Sequence, residues 1–184
     1  LTPGSTVWSF RSKFKINAKN VGKHISPKKL KGLYDNNEDF IILDARNDYE
    51  SKIGKFKNAI TPNIKIFKDF KKIIKQLEIY KNKKIVMYCT GGVRCEKASA
   101  LLLKVGFKDV NQLKDGILNY VEQYPDTYFE GRCFVFDNRL SISTGVNTKE
   151  IAVCEKCHIA CGEYTNCNNK RCDRLFIFCK DCKK

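Results

Sequence analysis

Lys84-Ile85-Val86-Met87-Tyr88-Cys89-Thr90-Gly91-Gly92-Val93-Arg94-Cys95-Glu96 is the stretch on which the reading of this chain turns. Its first five residues are a short, largely apolar run, as expected of a strand buried on both faces of a parallel sheet. Gly91 and Gly92 interrupt the run, and a helix is predicted from about 95 to 105, stopped by Gly106. A thiol at the end of such a strand, just ahead of a helix, sits where open α/β sheets place their ligands. The glycines of the loop Thr90, Gly91, Gly92 and Val93 let the backbone curl so that N–H groups turn toward the sulfur. Those amides, the positive end of the helix and Arg94 favour an anion, so they lower the thiol pKa and stabilise thiolate or persulfide. The bland alternative is a structural buried cysteine. Strand, Cys, Gly-Gly, Arg and helix in immediate succession argue against it.

Outward from this loop, strands and helices alternate. Ser26-Pro27 is a helix start, with the hydroxyl as cap and proline at the first helical position, and the helix should run to about 34. The apolar run 40–43 reads as a second buried strand, with Asp44-Ala45-Arg46 at its C-terminal edge. One helical turn is expected at 47–51, a weak strand near Ala59-Ile60, and a helix over 66–79, where Phe67, Phe70, Ile73, Ile74 and Leu77 recur at helical spacing. A strand at 110–113 and a helix at 117–123 follow. The predicted class is α/β: an open parallel sheet with helices on both faces, plus a small Cys-rich zinc-binding C-terminal module. The expected division is an N-terminal extension at 1–20, the α/β domain at 21–128, a linker at 129–150 whose part 141–149 is polar, and the Cys-rich module at 151–184.

The length of 184 residues fits that division. No run approaches the eighteen apolar residues that a spanning helix needs. Residues Leu1 to Phe10 lack the basic and apolar regions of a signal peptide, so a reducing, cytoplasmic compartment is expected, with an organellar address left open for a shortened N-terminus. The net charge of +15 has two readings. Clustered cations gain affinity for nucleic acid by releasing phosphate counterions. Yet 28 of the 35 cations are lysines in a chain also rich in Asn and Ile, which an A/T-rich coding sequence produces unaided. Runs such as Lys28-Lys29, Lys71-Lys72 and Lys81-Asn82-Lys83-Lys84 would then be solvated surface.

Ten cysteines are many for this length, and seven crowd between Cys154 and Cys182. Cys154-x2-Cys157 and Cys179-x2-Cys182 are knuckle-type pairs, with Cys161, Cys167 and Cys172 between them and His158 as a further candidate. Thiolates at two-residue spacing curl around one Zn²⁺. Eight candidates suffice for one or two tetrahedral structural zinc sites. The module has too few apolar side chains to build a core alone, so metal would supply much of its folding energy. Without a secretory signal, disulfides are the weaker alternative. Lys156, Lys170, Arg171, Arg174 and Lys180 offer RNA contacts, or the module is a structural cap. No nucleotide-binding glycine pattern is present, and no organic cofactor is expected.

The spacing Cys89-x4-Arg94 is one residue shorter than the Cys-x5-Arg cradle of Cys-dependent phosphatases, and suits a single sulfur atom better than a phosphoryl group. Asp44-Ala45-Arg46 with Glu50, then Ile53-Gly54, resembles the Asp-x-Arg…Glu…Gly signature of the rhodanese superfamily, with Cys89 at the position of its persulfide-forming cysteine. More narrowly, residues 46–50, the string Cys89-Thr90-Gly91-Gly92-Val93-Arg94-Cys95-Glu96-Lys97-Ala98-Ser99 and Cys133-Phe134-Val135-Phe136-Asp137-Asn138-Arg139 resemble the bacterial tRNA uridine hydroxylases and their eukaryotic rhodanese-domain relatives. The resemblance extends from about Gly22 to Cys182. It implies a rhodanese-like fold and, in the bacterial members, oxygen-dependent formation of 5-hydroxyuridine at the tRNA wobble position. Those members carry a ferredoxin-like domain ahead of the rhodanese domain; here about twenty residues precede it, so either the sequence begins inside a longer chain or the protein lacks that domain. Lys114-Asp115-Gly116 stands where the family has Lys-Gly-Gly, with little consequence expected.

The expected roles follow. Cys89 is the nucleophile and sulfur carrier, Arg94 positions the incoming anion, and Cys95 is either a second redox thiol or a small buried replacement for the family's Ser. Asp44, Arg46 and Glu50 hold the strand edge and turn, with an Arg–Glu pair as the fastening. Cys133 is a packed thiol. Partners would be tRNA, a small sulfur donor or a thiol acceptor. A plain thiosulfate-type sulfurtransferase needs only Cys89 and its cradle, and a non-catalytic interaction module would not need Cys89 and Arg94 intact.

Overall fold

The computed structural model describes residues 20–169, 171–172 and 174–183. Residues 1–19 of the extension expected at 1–20, and the candidate RNA contact Lys170, lie outside the described residues.

Four strands make the central sheet: β1 (Lys23–Ile25), β2 (Ile41–Asp44), β4 (Lys84–Tyr88) and β5 (Asp109–Leu113). Their order is β1-β5-β4-β2, and every pairing is parallel. The apolar run of β4 lies in the middle of this order, flanked by Ile85↔Ile41 and Ile85↔Val110. Ile85, Val86, Met87 and Tyr88 are all fully buried. Alternate residues feed two cores, as the pleat requires. Ile85 and Met87 pack with Leu43, Phe70, Leu101 and Leu102 on one face. Val86 and Tyr88 pack with Leu30, Phe56, Ile117 and Tyr120 on the other. The sheet is thus covered on both faces.

The helices are α1 (Pro27–Asp35), α2 (Asp48–Ile53), α3 (Ile74–Leu77), α4 (Val93–Lys104) and α5 (Gly116–Gln123). The Ser26 hydroxyl accepts from the Lys29 amide at 3.2 Å and caps α1 as expected. The predicted helix at 66–79 is a different object. A 3₁₀ segment (Phe67–Ile73) leads into α3, and a second one (Glu78–Tyr80) closes it. Phe67, Phe70 and Ile73 recur at strict spacing of three, which aligns them on one face of a 3₁₀ helix rather than an α-helix. Ala59-Ile60 contributes a single bridge, Leu43↔Ile60, instead of a strand.

The extended segment next to α2 lies earlier, at β3 (Gly54–Phe56), and pairs antiparallel with β6 (Phe129–Gly131). Two more short strands, β7 (Cys133–Phe134) and β8 (Ser141–Ile142), pair with each other. Residues 129–150 therefore hold regular structure, and the Thr144 hydroxyl donates to the Gly131 carbonyl at 2.7 Å. A hairpin of β9 (Tyr164–Asn166) and β10 (Leu175–Ile177) completes the described chain. A third core joins this C-terminal part to α2: Ile53, Phe134, Tyr164 and Ile177 pack together, and Tyr164 Oη donates to the Tyr49 carbonyl at 2.8 Å.

Lys72, Lys81, Lys83 and Lys84 from the lysine runs each meet a carboxylate: Asp69, Glu78, Asp39 and Glu38 respectively. Those pairs fit the solvated-surface reading of the runs. Among the described residues no helix is long and apolar enough to cross a membrane.

Candidate active site

Cys89 follows β4 directly, and α4 begins at Val93, so the loop between them is the sequence Cys89-Thr90-Gly91-Gly92. Gly92 has φ +85°, the left-handed region that admits glycine readily. The outer wall is the start of α5. Ile117 and Leu118 amides donate to the Cys89 and Thr90 carbonyls at 3.0 and 3.3 Å. Gly116 makes this approach feasible, since a Cβ there would overlap both carbonyl oxygens. With the carbonyls drawn back to α5, the amides of Arg94 and Cys95 are the ones that reach the Cys89 sulfur. Asp115, in the position where glycine was expected, adopts φ 59°, which Asp tolerates better than most residues.

The Cys89 thiol is 2 % exposed. Its pKa is lowered from 9.0 to about 6, first by a hydrogen bond from the Cys95 thiol, then by the Arg94 charge and the Cys95 and Arg94 amides, against the opposing effect of burial. Cys95 is fully buried, and burial together with the adjacent Cys89 pushes its own pKa well above the ordinary value. The two shifts run in opposite directions, so in this pair Cys95 is the hydrogen-bond donor and negative charge is favoured on Cys89.

Arg94 is gripped by Glu50. Nη2 donates to Glu50 Oε1 at 2.7 Å and to Thr90 Oγ1 at 3.3 Å, and Nη1 pairs with Glu50 Oε2. Glu50 is fully buried on α2 and also accepts from the Asn47 amide at 3.1 Å and the Thr90 hydroxyl at 3.1 Å. Burial opposes the Arg94 charge, but Glu50 outweighs it and raises the pKa. This corrects the expected Arg46–Glu50 fastening. Arg46 instead clasps Asp44, with its amide and Nε at 2.9 and 3.0 Å from Oδ1 and Nη2 at 2.7 Å from Oδ2. Tyr88 Oη donates to the same carboxylate at 2.7 Å, and Arg46 Nη2 reaches the Gly54 carbonyl at 2.6 Å. Burial works against the Arg46 charge, yet Asp44 holds its pKa well above normal. Cys133 is buried, and burial pushes its thiol up to about 12, as befits a packed residue. Local motif reading missed the Glu50–Arg94 pair, because its members are 44 residues apart.

All ten cysteines are free thiols. Four of the eight candidate metal ligands converge: the sulfurs of Cys154, Cys157, Cys179 and Cys182 lie within 4.8 Å of one another. Cys157 and Cys179 are 3.7 Å apart, against the about 3.8 Å edge of a tetrahedron with zinc–sulfur bonds of ~2.3 Å. Amides of Lys156 and Cys157 face the Cys154 sulfur, the knuckle geometry expected of a two-residue spacing. The donor set fits Zn²⁺. Among the described residues Cys161, Cys167, Cys172 and His158 join no such group. Cys161 is buried in the third core, Cys167 and Cys172 lie on the β9–β10 connection, and His158 supplies the left-handed residue (φ 61°) that closes the first knuckle. Among the described residues one four-sulfur group converges that could hold a metal ion.

A parallel sheet with a thiolate loop at the carboxyl end of a central strand defines a rhodanese-like α/β domain. The chain belongs to that family: residues 26–123 match the rhodanese-like domain and 130–184 match the rhodanase C-terminal region. A tRNA uridine(34) hydroxylase of Cytophaga hutchinsonii is 42% identical over 165 residues, covering 89% of this chain and 53% of that protein. Its counterpart in Leptospira interrogans is 44% identical over 170 residues, covering 90% of this chain and 46% of that protein. The chain thus spans about half the length of these curated relatives. A rhodanese-like domain from Anabaena superposes with a TM-score of 0.50 at 22% identity, over 59% of this chain and 78% of that one, a likeness of fold.

Proposed function

We propose that this chain carries the thiolate centre of a tRNA wobble-uridine modifying enzyme, with Cys89 acting as thiolate or persulfide. The observation that carries the reading is the thiol loop at the carboxyl end of a central strand, where Cys95, Arg94 and their amides lower the pKa of the buried Cys89. The named activity of relatives at more than 40% identity supplies the substrate class. Cys89 is the nucleophile, Thr90 to Val93 shape the cradle, and Cys95 donates a hydrogen bond to the sulfur. Arg94, held by Glu50, fixes the loop and lends its charge to the Cys89 sulfur. Asp44, Arg46 and Glu50 support the loop from beneath. Residues 21–128 carry the chemistry, and 151–184 carry a structural zinc held by Cys154, Cys157, Cys179 and Cys182. A reducing cytoplasm is the compartment that keeps such thiols free.

The thiosulfate-type sulfurtransferase reading is weaker for a physical reason. Both terminal nitrogens of Arg94 are engaged by Glu50, so the cradle offers a dianionic donor little uncompensated positive charge. The test is mass spectrometry of tRNA from cells lacking the protein, complemented with wild type or Cys89→Ser. Loss of 5-hydroxyuridine-type wobble modifications, restored by wild type and not by the variant, supports the proposal. An unchanged modification profile sinks it and moves the function to general sulfur transfer.

A further inference from the structure

Phe136 is 59 % exposed beside the reactive loop. Scattered exposed apolar residues are ordinary, but this ring is held in place on the protein side. It meets Phe134 edge-to-face at 5.2 Å, and Phe134 in turn is fixed by Tyr49 at 5.1 Å and Tyr164 at 5.7 Å. The Arg94 guanidinium, itself locked by Glu50, lies 5.6 Å from the Phe136 centroid. Arg94 also lies in the first turn of the helix that follows the Cys89 loop, so the ring packs against a residue bordering that loop. Val93, 62 % exposed, adds apolar surface at the same mouth.

A cation stands three residues beyond the ring. Arg139 donates to Asp137 through its amide (2.9 Å), Nε (3.0 Å) and Nη2 (2.7 Å). The clasp engages Nε and Nη2, whereas Glu50 takes both terminal nitrogens of the buried Arg94; the Arg139 side chain stays 67% exposed, so its outer edge can meet an anion from solvent. Ring and cation share the tip of the β7–β8 hairpin, which the Val135 amide and Leu140 carbonyl close, and an aromatic ring with a cation on one surface is a pairing that single-stranded nucleic acid uses: one base stacks, and an adjoining phosphate is met by the cation. The chain's charge of +15 suits the same polyanion. A small sulfur donor would need no ring outside the cradle.

We propose that Phe136 is a stacking platform for a pyrimidine base of single-stranded RNA, presenting that base to Cys89, with Arg139 meeting the adjoining phosphate. The platform rests on the RNA reading above and names its base-binding subsite. Phe136 restrains the base at the mouth, and Arg94 backs the ring from the protein side.

The experiment compares binding of two anticodon stem-loop RNAs by fluorescence anisotropy, one with uridine at the wobble position and one abasic there. Wild type, Phe136→Ala, Phe136→Trp and Arg139→Gln are each measured. Phe136→Ala is expected to weaken the uridine RNA about tenfold or more, and the abasic RNA hardly at all. Phe136→Trp should retain the affinity for uridine RNA, and Arg139→Gln should weaken both RNAs alike. Equal affinities of wild type and Phe136→Ala, or the same loss with both RNAs, overturn the platform while leaving the RNA reading intact. Unchanged binding by Arg139→Gln removes the phosphate contact. Failure of wild type to bind either RNA overturns the RNA reading and the platform with it.

Discussion

Two sulfur sites in one chain solve opposite problems. At Cys89 the pKa of a single sulfur is lowered by its protein neighbours: a thiol donor, an arginine and two amides. At Cys154, Cys157, Cys179 and Cys182 four sulfurs crowd within 4.8 Å. Four sulfurs that close would repel one another if all were ionised. A divalent cation is the natural counter-charge. The first site is therefore reactive because its charge is balanced by groups that leave the sulfur lone pairs available. At the second, a bound metal ion would commit those lone pairs and leave the sulfurs inert.

The comparison can be broken in four ways. The largest effect is expected from chelation: about one equivalent of zinc should be released per chain, and residues 151–184, together with the α2 they cover, should become open to protease. A metal-free chain with a protected module would erase the distinction between the sites. Next, Cys89→Ser should abolish fast alkylation by iodoacetamide while leaving the zinc content intact. Retained fast alkylation would place the reactive thiol elsewhere.

A smaller change is expected from Glu50→Ala, which leaves Arg94 without its buried partner. It should lower folding stability by about 3 kcal/mol in urea titration, since removing one member of a buried pair exposes the other to an uncompensated desolvation cost. No loss would show that the loop does not depend on the pair. The smallest and most discriminating effect is on pH dependence. The alkylation rate tracks the thiolate, so in wild type it should rise with pH to half its plateau at about 6 and be flat above neutrality. Cys95→Ala removes the thiol donor and should move that midpoint upward toward the ordinary value. Cys95→Ser keeps an O–H donor and should move it less. Equal midpoints in all three proteins would remove Cys95 from the site's electrostatics.

Much of the sheet was legible because its signals are local. The run 84–88, the Gly-Gly break and the Ser26-Pro27 cap each need only neighbouring residues to be read. β1 was not legible: Lys-His-Ile has no apolar pattern, and the strand exists because β5 offers it an edge. β3 and β6 escaped for a related reason. Each is three residues long, and each finds its partner more than seventy residues away. At the site, the thiol loop was readable and its brace was not. Glu50 was visible as a support, but its partner was assigned by proximity in sequence to Arg46, whereas folding delivers Arg94. Among the cysteines, the two-residue spacings marked the pairs that converge. The isolated Cys161, Cys167 and Cys172 carry the same side chain without that geometry.

The six residues of α2 have a consequence for how the molecule comes apart. One side of this short helix supplies Glu50 to the thiol loop. Its other residues, Tyr49 and Ile53, are packed under Tyr164 and Phe134 of the C-terminal part. So brief a helix has no stability of its own, and it stays wound because both neighbours hold it. The two halves of the chain are thereby welded into one cooperative unit. A calorimeter should record a single heat-absorption peak, and a chain cut after residue 128 should lose β6 and the cover on α2, so that the reactive loop disorders along with them.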